Sequence, residues 1–205
     1  MTTIEIQGSA GLLEARTDQA SESRNITAVL CHPHPQYGGS MQDGVVDVAA
    51  GVMLDHGIDC VRFNFRGVGR SEGVYDNGIG ELDDLGAVAN WVRDQNPDHK
   101  LWLAGYSFGS NIVFRSLAGL KPEFALLIAP PIGMMEFPED VDTSNVHAIA
   151  GDRDDFVDAN KLMERFGDRA NILNGADHFF GGYYGPLGDA VAQAINLQRA
   201  QAITS

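Results

Sequence analysis

Lys100–Leu120 reads KLWLAGYSFGSNIVFRSLAGL. Its first six residues are an apolar run of strand length, and from Phe108 onward the apolar positions recur at helical spacing. The join is Gly105-Tyr106-Ser107-Phe108-Gly109, a G-x-S-x-G turn set directly between strand and helix. Small residues at both ends suit a reversal too sharp for side chains. They leave the serine oxygen projecting at the top of a sheet, above a helix N-terminus that favours developing negative charge. A buried strand leading into a helix is one unit of a parallel sheet, and what matters next is whether such units repeat.

They repeat in both directions. Upstream, Ile26 to Cys31 is a continuous apolar run. Asp43 to His56 then sets Val45, Val46, Val48, Ala49, Val52, Met53 and Leu54 at helical spacing, with Gly57 as the stop. IDCVRFNF (58–65) precedes a helix near 80–95. Downstream come EFALLIA (123–129), VHAIAG (146–151) followed by the helical DANKLMERFG, ANIL (170–173) and a final helix over 186–203. Ahead of them all, TIEIQG and GLLEART read as a hairpin at a sheet edge. Near-continuous apolar strands alternating with amphipathic helices need a sheet covered on both faces, because neither face of such a strand meets water. The expected fold class is α/β, doubly wound, with a mostly parallel sheet of about eight strands and helices on both faces. No repeat, linker or low-complexity tract interrupts the chain, so residues 1–205 are expected to form a single domain.

Composition narrows the partners. In 205 residues, 44% hydrophobic and 20% charged, 14 Lys and Arg face 28 Asp and Glu, a net charge of −14. That balance repels phosphate backbones and anionic lipid, so neither nucleic acid nor membrane is an expected partner. No run approaches the roughly 20 apolar residues that span a bilayer. The opening MTTIEIQGSAG has neither a basic nor an apolar leader segment, and a cytoplasmic protein is expected. Cys31 and Cys60 lie inside apolar runs and read as buried free thiols, not as a disulfide or a zinc site.

In open α/β sheets, chemistry sits in the loops at the carboxyl ends of the strands. In order, these loops are HPHPQYGG, RGVGRSEG, YSFG, PPIGMMEFPED, DRDDFVD and NGADHFFGG. A serine hydroxyl is a weak nucleophile and needs a base, itself held by a carboxylate. His178, in Gly175-Ala176-Asp177-His178-Phe179-Phe180, is on the functional edge beside aromatics that limit water. His56, His99 and His147 precede or start strands, on the opposite edge. For the acid, Asp152, Asp154 and Asp155 all follow a buried strand. Asp152 could tie down its own loop and Asp155 could cap a helix beginning near Val157, and composition does not separate the three. A tetrahedral intermediate also needs two donors aimed at its oxyanion. Phe108 N–H is the first. The second comes from His32-Pro33-His34-Pro35-Gln36-Tyr37, where the prolines have no N–H, which assigns it to Gln36 or Tyr37. His32 and His34 form an HxH pair without an evident third ligand, so they read as loop-positioning groups and no metal is expected. Arg66-Gly67-Val68-Gly69-Arg70-Ser71-Glu72-Gly73 is one residue off a dinucleotide fingerprint and has no Walker lysine. It reads as a structural loop. Glu81, Asp83 and Asp84 are expected to offset the dipole of the helix they open.

Together, CHPHPQYGGSM, VRFNFRGVGRSEG, LAGYSFGS, GDRDDFV and GADHFF, spanning positions 31 to 180, resemble the α/β-hydrolase superfamily. Within it they resemble small bacterial serine hydrolases distantly related to dienelactone hydrolases. The resemblance implies the α/β-hydrolase fold and a triad in the order Ser107, Asp154, His178. Asp154 is chosen because the family's acid occupies the fourth position of G-x-x-D-x-x-V, here Gly151, Asp154 and Val157. Dienelactone hydrolases use a cysteine where Ser107 stands, so their lactone substrate does not carry over. Only about 16 residues separate Ala129 from Val146, where many members of the superfamily insert a cap, so no cap domain is expected.

The expected activity is that of a cofactor-independent serine hydrolase, a carboxylesterase acting on small or medium esters through an acyl-enzyme. His34, Met134, Met135 and Phe179 are expected to line its pocket, with Phe137 nearby. An acyltransferase or peptidase would use the same triad, and a non-catalytic binding module on this fold is the rival from another class. The expected partner is a small ester molecule, and a homodimer is left open. A site without a lid should show no activation at a lipid surface. Initial rates on a soluble short ester, followed across its solubility limit, should rise smoothly, and a sharp jump there would contradict this.

Overall fold

The computed structural model describes residues 2–204 and bears out this alternation, strand by strand. The strands are β1 (Thr2–Gly8), β2 (Gly11–Asp18), β3 (Ile26–Cys31), β4 (Asp59–Phe63), β5 (Lys100–Tyr106), β6 (Phe124–Ile128), β7 (Val146–Gly151) and β8 (Ala170–Leu173). The helices are α1 (Gly44–Asp55), α2 (Gly80–Gln95), α3 (Phe108–Leu120), α4 (Ala159–Phe166) and α5 (Tyr184–Thr204). One eight-stranded sheet runs in the order β1-β2-β4-β3-β5-β6-β7-β8. β1 pairs antiparallel with β2 and β2 with β4, forming the edge hairpin, and every other pairing is parallel. The helix α1 packs on α5, and α2 on α3. Phe114 of α3 meets Phe166 of α4, so α4 shares the face of α3.

From β3 the chain steps outward to β4, then returns to the other side of β3 as β5. The reversal of strand order makes β3/β5 the topological switch point, the place in such a sheet where a crevice opens at the carboxyl ends. Its two walls are the His32–Tyr37 loop and the Ser107 turn. The central strands are mostly apolar, and β3, β5, β6 and β7 bury nearly every residue.

One expected strand is shorter than its apolar run. It ends at Phe63. Asn64 N–H still donates in register to Glu14 O of β2, but Phe65 leaves the ladder and turns its N–H to His32 Nε2. The acids at the start of α2 also depart from expectation. Glu81 and Asp84 are fully buried and do not serve as exposed partners of the helix dipole. Glu81 accepts the N–H groups of Asp76 and Gly78, closing the loop ahead of the helix. Asp84 accepts the backbone N–H of Arg66, and its carboxylate is 2.7 Å from the guanidinium. A charge taken out of water needs such partners, and Arg66 opens the loop that reads as structural.

Removing one member of a buried ion pair strands the other. Asp84→Ala should therefore lower the unfolding free energy by about 3 to 5 kcal/mol, whereas Asp83→Ala should change it by less than about 0.5 kcal/mol. Urea unfolding followed by circular dichroism checks both.

Candidate active site

Ser107 stands between β5 and α3 with φ 52° and ψ −119°, in the left-handed region that non-glycine residues avoid. Its neighbours explain how that conformation is tolerated. A Cβ on Gly105 would lie 2.3 Å from Gly109 O, and one on Gly109 would lie 2.5 Å from the carbonyl oxygens of Cys31 and His32. Only glycine lets the turn close this tightly against β3. The Ser107 N–H donates to Ile128 O on β6 at 2.8 Å, and the Ser107 carbonyl accepts from Ser110 N–H and Oγ, so both sides of the turn are tied down. Phe108 occupies the first position of α3, where a backbone N–H has no carbonyl of a preceding helical turn to meet.

His178 arrives from the loop after β8. Its Nε2 is 2.9 Å from Ser107 Oγ, and its Nδ1 is 2.8 and 3.0 Å from the two oxygens of Asp154, on the loop after β7. A carboxylate only accepts, so Nδ1 carries the ring proton and Nε2 presents its lone pair to the serine hydroxyl. Asp154 and His178 are buried. Asp154 also accepts the Phe156 N–H at 2.9 Å, and Tyr106 donates its hydroxyl to the carbonyl of His178 at 2.9 Å, tying the imidazole loop back to β5. The rings of Phe156 and Phe179 approach the imidazole at 4.6 and 5.5 Å.

The other two acids do different work. Asp152 accepts the Gly175 N–H at 2.6 Å, joining the β7 and β8 loops. Asp155 is exposed, and the helix expected near Val157 begins at Ala159, where Asp158 caps it by accepting from Asn160 and Lys161. His99 meets Thr27 Oγ1 at the far edge, and His147 is buried beside Phe124 at the start of β7. His32 accepts Phe65 N–H at Nε2 and faces Pro33 O through Nδ1, so it staples the β3 loop to the end of β4.

The sequence candidates for the second oxyanion donor are both engaged. Gln36 N–H donates to His34 Nδ1 at 3.2 Å and Tyr37 N–H to His34 O at 3.1 Å. By contrast, the His34 N–H donates to no acceptor among the described residues. His34 lies between the two prolines of this loop and keeps its backbone N–H. Of the expected pocket residues, His34 is half-buried against Phe108 with ring centroids 5.0 Å apart, and Phe179 is 65% exposed beside His178. Met134, Met135 and Phe137 instead line a cavity of about 670 Å³ with Lys161, Glu164 and Arg165. None of Ser107, Asp154 and His178 borders it. The loop after β6 folds away onto α4, where Arg165 donates to the carbonyls of Phe137 and Pro138. Among the described residues, no three His, Cys, Asp or Glu side chains are grouped to hold a metal ion. Nor is any helix long and apolar enough to cross a membrane.

The family model for the alpha/beta hydrolase fold matches residues 37–124. An uncharacterized protein of Rickettsia prowazekii is 35% identical across 88% of this chain and 82% of its own. A Xanthomonas campestris protein described as an a/b serine hydrolase without lid is 36% identical, covering 95% of this chain and 93% of that one at a TM-score of 0.89. A Coxiella burnetii alpha-beta serine hydrolase homologue is 33% identical over 94% and 96%, with a TM-score of 0.88.

Burial holds the pKa of His32 at about 4, and that of His147 at about 4 with Arg169 adding to the effect. An unfolded histidine titrates near 6.5, so between these values the unfolded chain binds more protons and stability rises with pH. The contribution is complete above pH ~6.5 and is lost as pH falls through ~4. Urea midpoints should stay level from about pH 8 to 7 and decline below about 6.5, and His147→Leu should make that decline shallower.

Proposed function

Because the chain belongs to the α/β-hydrolase family, we propose that it is a serine hydrolase cleaving small or medium carboxylic esters, with Ser107 as nucleophile. The observation that carries this reading is the unbroken hydrogen-bond chain from Ser107 Oγ through His178 to Asp154, with every contact at 3.0 Å or less. The ester carbonyl lies over the α3 N-terminus. As Ser107 Oγ bonds to the carbonyl carbon, its proton passes to His178 Nε2, and Asp154 stabilises the resulting imidazolium. The carbonyl oxygen takes up the negative charge and accepts from Phe108 N–H and, in place of Gln36 or Tyr37, from His34 N–H. Collapse breaks the bond to the leaving alkoxide, which receives the proton from His178. The acyl-enzyme is then hydrolysed when His178 takes a proton from water, hydroxide adds to the acyl carbon, and the proton returns to Ser107 as the carboxylic acid leaves. Phe156 and Phe179 flank the imidazole and shield part of it from solvent.

Ser107→Ala should lower kcat on 4-nitrophenyl esters by about 10⁴ to 10⁶ without changing the urea midpoint, and Asp154→Asn should have a smaller effect. A fluorophosphonate probe should modify the wild type and leave Ser107→Ala untouched. A binding module would remain unmodified in both forms, and labelling that persists in Ser107→Ala would move the nucleophile elsewhere.

A further inference from the structure

Tyr75 comes from the long connection between β4 and α2, far from the triad in sequence, and its hydroxyl is 3.2 Å from His34 Nε2. On the other side of the same ring, Nδ1 accepts the Gln36 N–H at 3.2 Å. An N–H facing Nδ1 fixes the tautomer, because that nitrogen must be bare and the ring proton must sit on Nε2. Nε2–H therefore donates to Tyr75 Oη. The His34 carbonyl accepts from Tyr37 and Gly39 N–H groups at 3.1 Å each, and its ring packs against Tyr37, Tyr75 and Phe108 at 4.6, 5.0 and 5.0 Å. One residue is thus the hub on which the loop turns, and its backbone N–H is the donor assigned above to the oxyanion.

We infer that Tyr75 and the His34 ring form a positioning pair for the oxyanion loop, one that holds only while the imidazole is neutral. The inference rests on the serine hydrolase reading. A second proton would land on Nδ1 and set it donor-to-donor against Gln36 N–H, breaking the bond that closes the Pro35–Tyr37 turn. The titratable groups around the ring are Tyr75 and Tyr37 against its faces, Glu81 on α2 and His32 two residues back. Burial pulls the His34 pKa below its ordinary value while Glu81 pulls it upward. Glu81 also sets Tyr75 in place, because its carboxylate accepts the N–H of the next residue, Asp76, at 2.9 Å. The buried acid at the start of α2 therefore reaches the site through Tyr75.

Steady-state rates on 4-nitrophenyl butyrate from about pH 4 to 8, low enough to pass the lowered His34 titration, test the pair, with thermal melting at each pH as the control for folding. Tyr75→Phe keeps the ring contacts and removes the acceptor. It should lower kcat by about 10- to 100-fold, the scale of a misplaced reacting group, with KM within about twofold. In the wild type, two groups must be unprotonated, His178 and His34, so log kcat/KM should fall at acid pH with a limiting slope of two. His34→Asn, whose amide oxygen can take the Gln36 N–H but cannot be protonated, should return that slope to one. Wild-type kcat in Tyr75→Phe, or a slope of one in the wild type, would overturn the inference. If Tyr75→Phe melts early, the two slopes decide alone. Ser107→Ala is assayed alongside, and full activity there would instead bring down the hydrolase reading and this inference with it.

Discussion

Everything at the top of the sheet is referred to one tight place, the approach of the Ser107 turn to the end of β3. Gly105 packs against Gly109, and Gly109 against the carbonyls of Cys31 and His32, with no room for a methyl group at either position. That closeness does two things. It forces Ser107 into a backbone conformation costing on the order of 1 to 3 kcal/mol, and it brings the His32–Tyr37 loop beside the N-terminus of α3. The strain persists because β5 is the middle of the sheet, paired with β3 on one side and β6 on the other, and because the turn is bonded to Ile128.

Around that point the loops are fastened to one another and to neighbouring strands. His32 ties the β3 loop to the β4 end, Asp152 ties the β7 loop to the β8 loop, and Tyr106 ties the His178 loop to β5. Below them, Arg66 with Asp84, and Glu81 with two backbone N–H groups, fasten the long β4–α2 connection. The buried carboxylates of Glu81, Asp84 and Asp154 and the His178 ring are each paired, as desolvation demands. The result is a set of loops whose side chains can be held to hydrogen-bonding accuracy without a lid over them.

The strands were legible because a doubly covered sheet makes them continuous apolar runs, and the turn at Ser107 was legible because its glycines are adjacent in sequence. The Ser107, Asp154 and His178 contacts were foreseeable from which edge each loop occupies, with Asp154 separated from Asp152 and Asp155 only by family resemblance. What the sequence withheld depends on contacts between distant loops. Glu81 and Asp84 look like exposed helix-opening acids until Arg66 and the 76–78 turn fold over them. Met134 and Met135 sit after the right strand, yet their loop turns onto α4 and faces another cavity. Gln36 and Tyr37 carry N–H groups, but the local turn closed by His34 uses both.

The most direct test of the account is a crystal structure of the enzyme inactivated with an alkyl fluorophosphonate. The account predicts a phosphorus bonded to Ser107 Oγ, its phosphoryl oxygen accepting from the N–H groups of Phe108 and His34, and His178 Nε2 within hydrogen-bonding distance of the adduct. An adduct on any other residue, or a phosphoryl oxygen turned away from α3 and the His34 loop, would contradict it.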